Sequence, residues 1–155
     1  MSRIPKPLRW LVPSKDELLG MPDDVKDGIG HLLSQLQHGE EAGEPGIKRF
    51  HEDPRIAHLF KVLSDGKDGN TYRGVAAVEF EEGVWVIDVF RKQSTSGIST
   101  PKKDIDRIAS RLSRLKEYRK SPEGLRAIAG MKAEYEAEQK KAGIGSSEFS
   151  KPGRR

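Results

Sequence analysis

Cysteine is absent from the 155 residues, so neither a disulfide nor a thiolate metal site is available. Aromatic side chains make up only 6% of the chain and hydrophobic ones 34%, equalled by 34% charged. That balance supports one modest core beneath a heavily charged surface, and the length suits one domain with room for an appendage. No apolar run approaches the roughly 20 residues a membrane span requires. The N-terminal MSRIPKPLRWLVP also lacks the apolar stretch of a secretory signal. A soluble, cytoplasmic protein with no membrane partner is expected. There is no Gly-x-x-x-x-Gly-Lys-Ser/Thr to cradle nucleotide phosphates and no Gly-x-Ser-x-Gly nucleophile elbow.

What is there is charge, unevenly spread. Residues 1–90 hold 11 Lys/Arg against 16 Asp/Glu, whereas residues 91–120 hold 10 against 3. A basic block on an otherwise acidic chain fits a polyanionic partner, and equally a lysine-rich helix that only meets water.

Leu8 to Val12, bracketed by Pro7 and Pro13, reads as a short strand near a sheet edge. Ser14-Lys15-Asp16-Glu17 has the form of a capping box and predicts a short helix ending at Gly20. A second helix opens at Pro22-Asp23-Asp24, and Val25, Ile29, Leu32, Leu33 and Leu36 recur on one face of it. Residues 39–54 read as a loop. Three strands follow, His58 to Leu63, Thr71 to Phe80 and Val84 to Phe90, joined by two hairpin turns. The last is apolar at nearly every position and predicts cover on both faces. After a Ser/Thr/Gly loop, Pro101 starts a helix with an Ile105, Ile108, Leu112, Leu115 stripe. Its cations Lys102, Lys103, Arg107, Arg111 and Arg114 lie mostly off that stripe, facing water or a partner. Another helical stretch follows Ser121-Pro122, weakened by Gly124 and Gly130, and the terminal AGIGSSEFSKPGRR has a disordered composition.

The candidates for chemistry are cationic. His31 and His38 share a helix face but have no third metal ligand, and His51-Glu52-Asp53 in so polar a loop reads as solvated surface. Asp88, inside an apolar strand, is either buried and paired or at a rim. Lys61 lies on one strand, Tyr72 and Arg73 begin the next, and Arg91 and Lys92 close the third. Neighbouring strands would gather these on one surface. Cations there can stabilise charge building on the oxygens of an RNA phosphate, and a crowded lysine of lowered pKa can move a proton. Each is also an ordinary surface charge if taken alone.

Arg9-Trp10, Ser14-Lys15-Asp16-Glu17-Leu18, Leu59-Phe60-Lys61-Val62, Tyr72-Arg73-Gly74-Val75, VWVIDVFRK and TPKKDIDRIASRL together resemble the RelE/HigB toxins of bacterial type II toxin–antitoxin systems. The phage-derived HigB-like branch is the most similar, over about residues 8–118. The resemblance implies an α+β fold: a small, antiparallel-rich sheet of about four strands, two N-terminal helices and a C-terminal basic helix. Residues 1–120 would form the toxin domain, and 121–155 a helical extension with a basic flexible tail. It implies a ribosome-dependent endoribonuclease that cuts mRNA in the A site by attack of the ribose 2′-OH, without metal or other cofactor. Carried over by position, Lys61, Arg73 and Lys92 would be catalytic, with Arg73 on the scissile phosphate. Tyr72, Arg91, Lys102, Lys103 and Arg107 would bind RNA. The implied partners are the ribosome, mRNA and a HigA-like helix-turn-helix antitoxin. The chain departs from the family where Gln93 replaces a lysine, Ala76 or Ala77 a tyrosine, and Lys61 the commoner arginine. Those departures keep two alternatives in view: a non-catalytic RNA- or ribosome-binding module, and a phage-derived adaptor protein.

Overall fold

Burying a strand on both faces requires a layer of helix on each side of it, and the apolar run Val84–Arg91 organises the chain in this way. The computed structural model describes residues 4–39, 44–92 and 100–143. Its strands are β1 (Leu8–Trp10), β2 (Ile47–Arg49), β3 (Phe60–Asp65), β4 (Thr71–Ala77) and β5 (Val84–Arg91), in spatial order β1-β5-β4-β3-β2. β1 runs parallel to β5, and the other pairings are antiparallel. The helices are α1 (Ser14–Leu19), α2 (Asp23–Gln37), α3 (Lys102–Lys120) and α4 (Pro122–Lys141). Among the described residues this is an α+β fold of one mixed five-stranded sheet and four α-helices, consistent with the RelE-like fold that the resemblance implies. No helix among the described residues is long and apolar enough to cross a membrane. The loop over 93–99 and the tail from 144 onward lie outside the described residues.

The two stripes seen in the sequence cover opposite faces. Val25, Ile29, Leu32, Leu33 and Leu36 of α2 pack on Phe60, Val62, Val84, Val86 and Val89. Ile105, Ile108, Leu112 and Leu115 of α3 pack on Val75, Trp85, Ile87 and Phe90. A β-bulge interrupts the β4–β5 pairing. Val75 lies opposite Asp88 and Ala76 opposite Val86, so Ile87 is the extra residue. Ile87 and Asp88 therefore both turn toward α3, which Ile87 packs against and Asp88 reaches through Arg107.

β1 ends before β5 does, which would leave β5 main-chain groups unpaired at a buried edge. Side chains complete the edge. The Ser14 Oγ lies 3.0 Å from Val86 O, the Arg111 guanidinium donates to Ile87 O at 3.2 Å, and a Glu17 oxygen accepts from Val89 N at 3.3 Å. Ser14 therefore does not close a capping box. It is the first helical residue, and its hydroxyl turns back to Leu11 O and Val86 O.

Other boundaries differ from the sequence reading for local reasons. Five strands form rather than about four, because Ile47–Arg49, within the stretch read as a loop, adds β2 to the edge of β3. Ile47 is buried there, and the Arg49 guanidinium stacks 4.2 Å from the Phe60 ring centroid. β3 starts two residues later than expected, and β4 stops at Ala77 rather than Phe80. In α4, Gly124 is required: a Cβ there would collide with Tyr118 O, where the chain doubles back between α3 and α4. The Ser121 hydroxyl caps the new helix by accepting from Gly124 N at 3.0 Å.

α4 is tied to the body. Met131 is fully buried in the α3-side core, and Arg119 donates twice to the buried Glu82, which also accepts from Trp85 Nε1 at 2.8 Å. Met131→Ala is therefore expected to cost about 2–4 kcal/mol in urea denaturation. Leu125→Ala, at a position 57% exposed, should stay within about 0.5 kcal/mol of the parent.

Candidate anion-binding site

Strand alternation decides which cations can meet. Lys61 pairs with Val75 and Leu63 with Arg73, so Lys61 and Arg73 project diagonally from adjacent strands toward α3. Lys92, two residues beyond Phe90, falls on the same face, and its amide donates to Thr71 O at 2.8 Å. Tyr72 and Arg91 face each other on the opposite, α2 side. Tyr72 belongs to the α2-side core, and its hydroxyl donates to Asp68 at 2.5 Å, which raises its pKa. The five strand residues thus divide: Lys61, Arg73 and Lys92 come together, and Tyr72 and Arg91 do not join them.

Lys61 and Arg73 are only 3% and 4% exposed. Two buried like charges repel and lose hydration, so they require compensation. Glu52 supplies it. Its Oε2 lies 3.6 Å from Lys61 Nζ and accepts from the Thr100 amide at 2.9 Å, while Oε1 accepts from the His51 amide at 3.2 Å. The Thr100 hydroxyl in turn accepts from Arg73 Nη1 at 2.8 Å, and the Phe50 ring lies 4.9 Å from Lys61 Nζ. Burial pushes the Lys61 pKa down against the pull of Glu52, and Arg73 and Lys92 push it further. Lys92 is lowered too, by burial and then by Arg73. Burial would raise Glu52, but the Thr100 and His51 amides and Lys61 outweigh it and hold the carboxyl at about 2.

The helix cations separate in the same way. Arg107 is turned inward: it donates to Asp88 at 2.8 Å and Asp104 at 2.7 Å, and lies 5.1 Å from the Phe90 ring centroid. Arg111, expected to face water or a partner, instead forks onto Glu17 with two 2.8 Å bonds and approaches Asp88 at 3.2 Å. Lys102 is exposed and pairs with Asp106 at 2.8 Å, and Lys103 is exposed beside it. Asp88 is wholly buried and ion-paired, so of the two readings of its place the paired one holds.

Two site residues escaped the sequence reading. In the sequence Glu52 reads as solvated surface, and Thr100 falls in the Ser/Thr/Gly loop that precedes Pro101. The usable signal is apolar: Phe50, Ile56 and Leu59, which flank that polar stretch, are all buried, and they draw Glu52 in with them.

The arrangement is a small α+β sheet protein with a compensated cation cluster at the approach to a long helix. Residues 16–113 match the model of the family described as Phage derived protein Gp49-like (DUF891). That is well over half of the chain and includes every residue of the cluster, and the chain belongs to this family. No curated protein matches it.

Arg107→Ala leaves the buried Asp88 short of a partner and should destabilise the fold by about 3 kcal/mol in chemical denaturation. Lys103→Ala should leave stability within about 0.5 kcal/mol. Glu52 titrates at about 2 in the folded chain against an ordinary 4.5. A depressed carboxyl contributes stability that is complete above the unfolded value and lost as pH falls toward the folded one. Glu52→Gln should therefore flatten the loss of melting temperature between pH 4.5 and 2 relative to the parent.

Proposed function

We propose that the chain is the toxin of a type II toxin–antitoxin pair, RelE/HigB-type and of the phage-derived HigB-like branch. On this reading it is an endoribonuclease that enters the ribosomal A site and cleaves mRNA there without a metal. The observation that carries the reading is the meeting of Lys61 on β3, Arg73 on β4 and Lys92 just past the end of β5. The ribose 2′-OH gives up its proton and attacks the adjacent phosphorus, and the bond to the 5′ oxygen breaks as that oxygen takes a proton. Arg73 and Lys92 stabilise the charge on the phosphorane oxygens. Lys61, whose burial and cationic neighbours favour the neutral amine, is suited to carry a proton. Lys102 and Lys103 on the exposed first turn of α3 contact ribosomal RNA through phosphates, without regard to sequence. A helix-turn-helix antitoxin of the HigA kind restrains the protein.

A specific observation favours a second reading, a non-catalytic RNA- or ribosome-binding module. Lys61 and Arg73 are enclosed, and donors of both are engaged by Glu52 and Thr100. The two readings part in one experiment. Induction in a bacterial host should arrest growth and create new mRNA 5′ ends within A-site codons by primer extension. The Arg73→Ala/Lys92→Ala double variant should do neither. Ribosome association with no new ends would replace the nuclease by the binding module.

A further inference from the structure

Glu52 has no part in the reaction just proposed, yet it sits at the centre of the cations. Its Oε2 takes the main-chain amide of Thr100, just ahead of the 19-residue α3, and faces the ammonium of Lys61. Arg73 is joined to the same threonine through its hydroxyl. A main-chain amide at the approach to a helix, an ammonium and a guanidinium are the donors a phosphate takes in proteins. A carboxylate of the same chain holds two of them. It lies on the irregular segment between β2 and β3, fixed by the burial of Phe50 and Ile56 rather than by strand pairing. Both contacts are made by its side-chain Oε2 and neither by its main chain.

We infer that Glu52 occupies a phosphate seat, and that an incoming phosphate group takes the Thr100 amide and Lys61 from it, one anion exchanging for another. This rests on reading the cluster as a phosphate site. It does not require cleavage. The exchange explains how two buried cations persist without substrate: Glu52 balances Lys61, Arg73 and Lys92 until a better acceptor arrives, with Asp104 a second acid near Arg73. It also sets Glu52 apart from a general base. Held at about 2, its carboxylate has too little affinity for a proton to serve near neutral pH.

The test uses the full chain and inorganic phosphate, followed by nuclear magnetic resonance at the Thr100 amide. Glu52→Gln keeps an acceptor for that amide and removes the competing charge. It should bind phosphate about tenfold more tightly, as expected from loss of a like charge a few ångströms away. Glu52→Asp should bind like the parent. In the unaltered protein, saturating phosphate should raise the Glu52 carboxyl from about 2 toward 4.5, read at its carboxyl carbon, and this decides the matter if the glutamine variant does not fold. Equal or weaker binding by Glu52→Gln, or a Glu52 titration unmoved by phosphate, overturns the exchange and leaves the cation site standing. Failure of both proteins to bind phosphate removes the cation site and the exchange together.

Discussion

The carboxylate of Asp88 is the fixed point of this fold. It stands on an interior strand with no exposure, where burial pushes its pKa up and makes its charge costly. Arg107 and Arg111, one turn apart on α3, meet that charge, and Arg111 continues to Glu17 on α1. Glu17 closes the circuit on the main chain of Val89. One buried anion thus joins a strand and two helices. Apolar packing alone lets a helix slide along a sheet, whereas a paired buried charge admits few positions. The placement of α3 follows, and with it the Thr100 amide and Asp104 at its approach.

The cation cluster is the second buried electrostatic problem, solved in the other sense. At Asp88 one anion is matched by two cations. At Lys61 and Arg73 two cations are matched chiefly by Glu52, with Lys92 close by. The first arrangement uses helix residues held by packing. The second uses a carboxylate on irregular chain. The two networks thus differ in where their compensating charge is held: on a packed helix at Asp88, and outside any helix or strand at Lys61.

Much of this was legible from residue pattern. The stripes of α2 and α3 and the apolar run of β5 announce a sheet covered on both sides, and Asp88 within that run already demands a partner. The cations on three successive strands could be singled out because strands joined by hairpins are usually neighbours. What could not be read depends on contacts distant in sequence. Ser14 looks like a helix cap but serves the edge of β5, 72 residues away. Glu52 looks solvated because its immediate neighbours are polar, and only the burial of Phe50 and Ile56 reveals where it goes. Arg107 and Arg111 lie off the apolar stripe yet point inward, because the carboxylates they answer are on β5 and α1. Tyr72 and Arg91 were grouped with Arg73 and Lys92 by proximity along the chain, which strand alternation overrides.

The bulge at Ile87 has an effect larger than its size. An unbroken strand counts its side chains by twos, so the parity of Trp85 would send Lys92 to the α2 side. One surplus residue resets the count, and everything downstream of it changes sides. The position of a charge in this molecule is therefore an arithmetic property of the backbone as much as of the residue that carries it. A homologous strand with every lysine and arginine kept but that single insertion lost would show the same letters and have its third cation beneath the wrong helix.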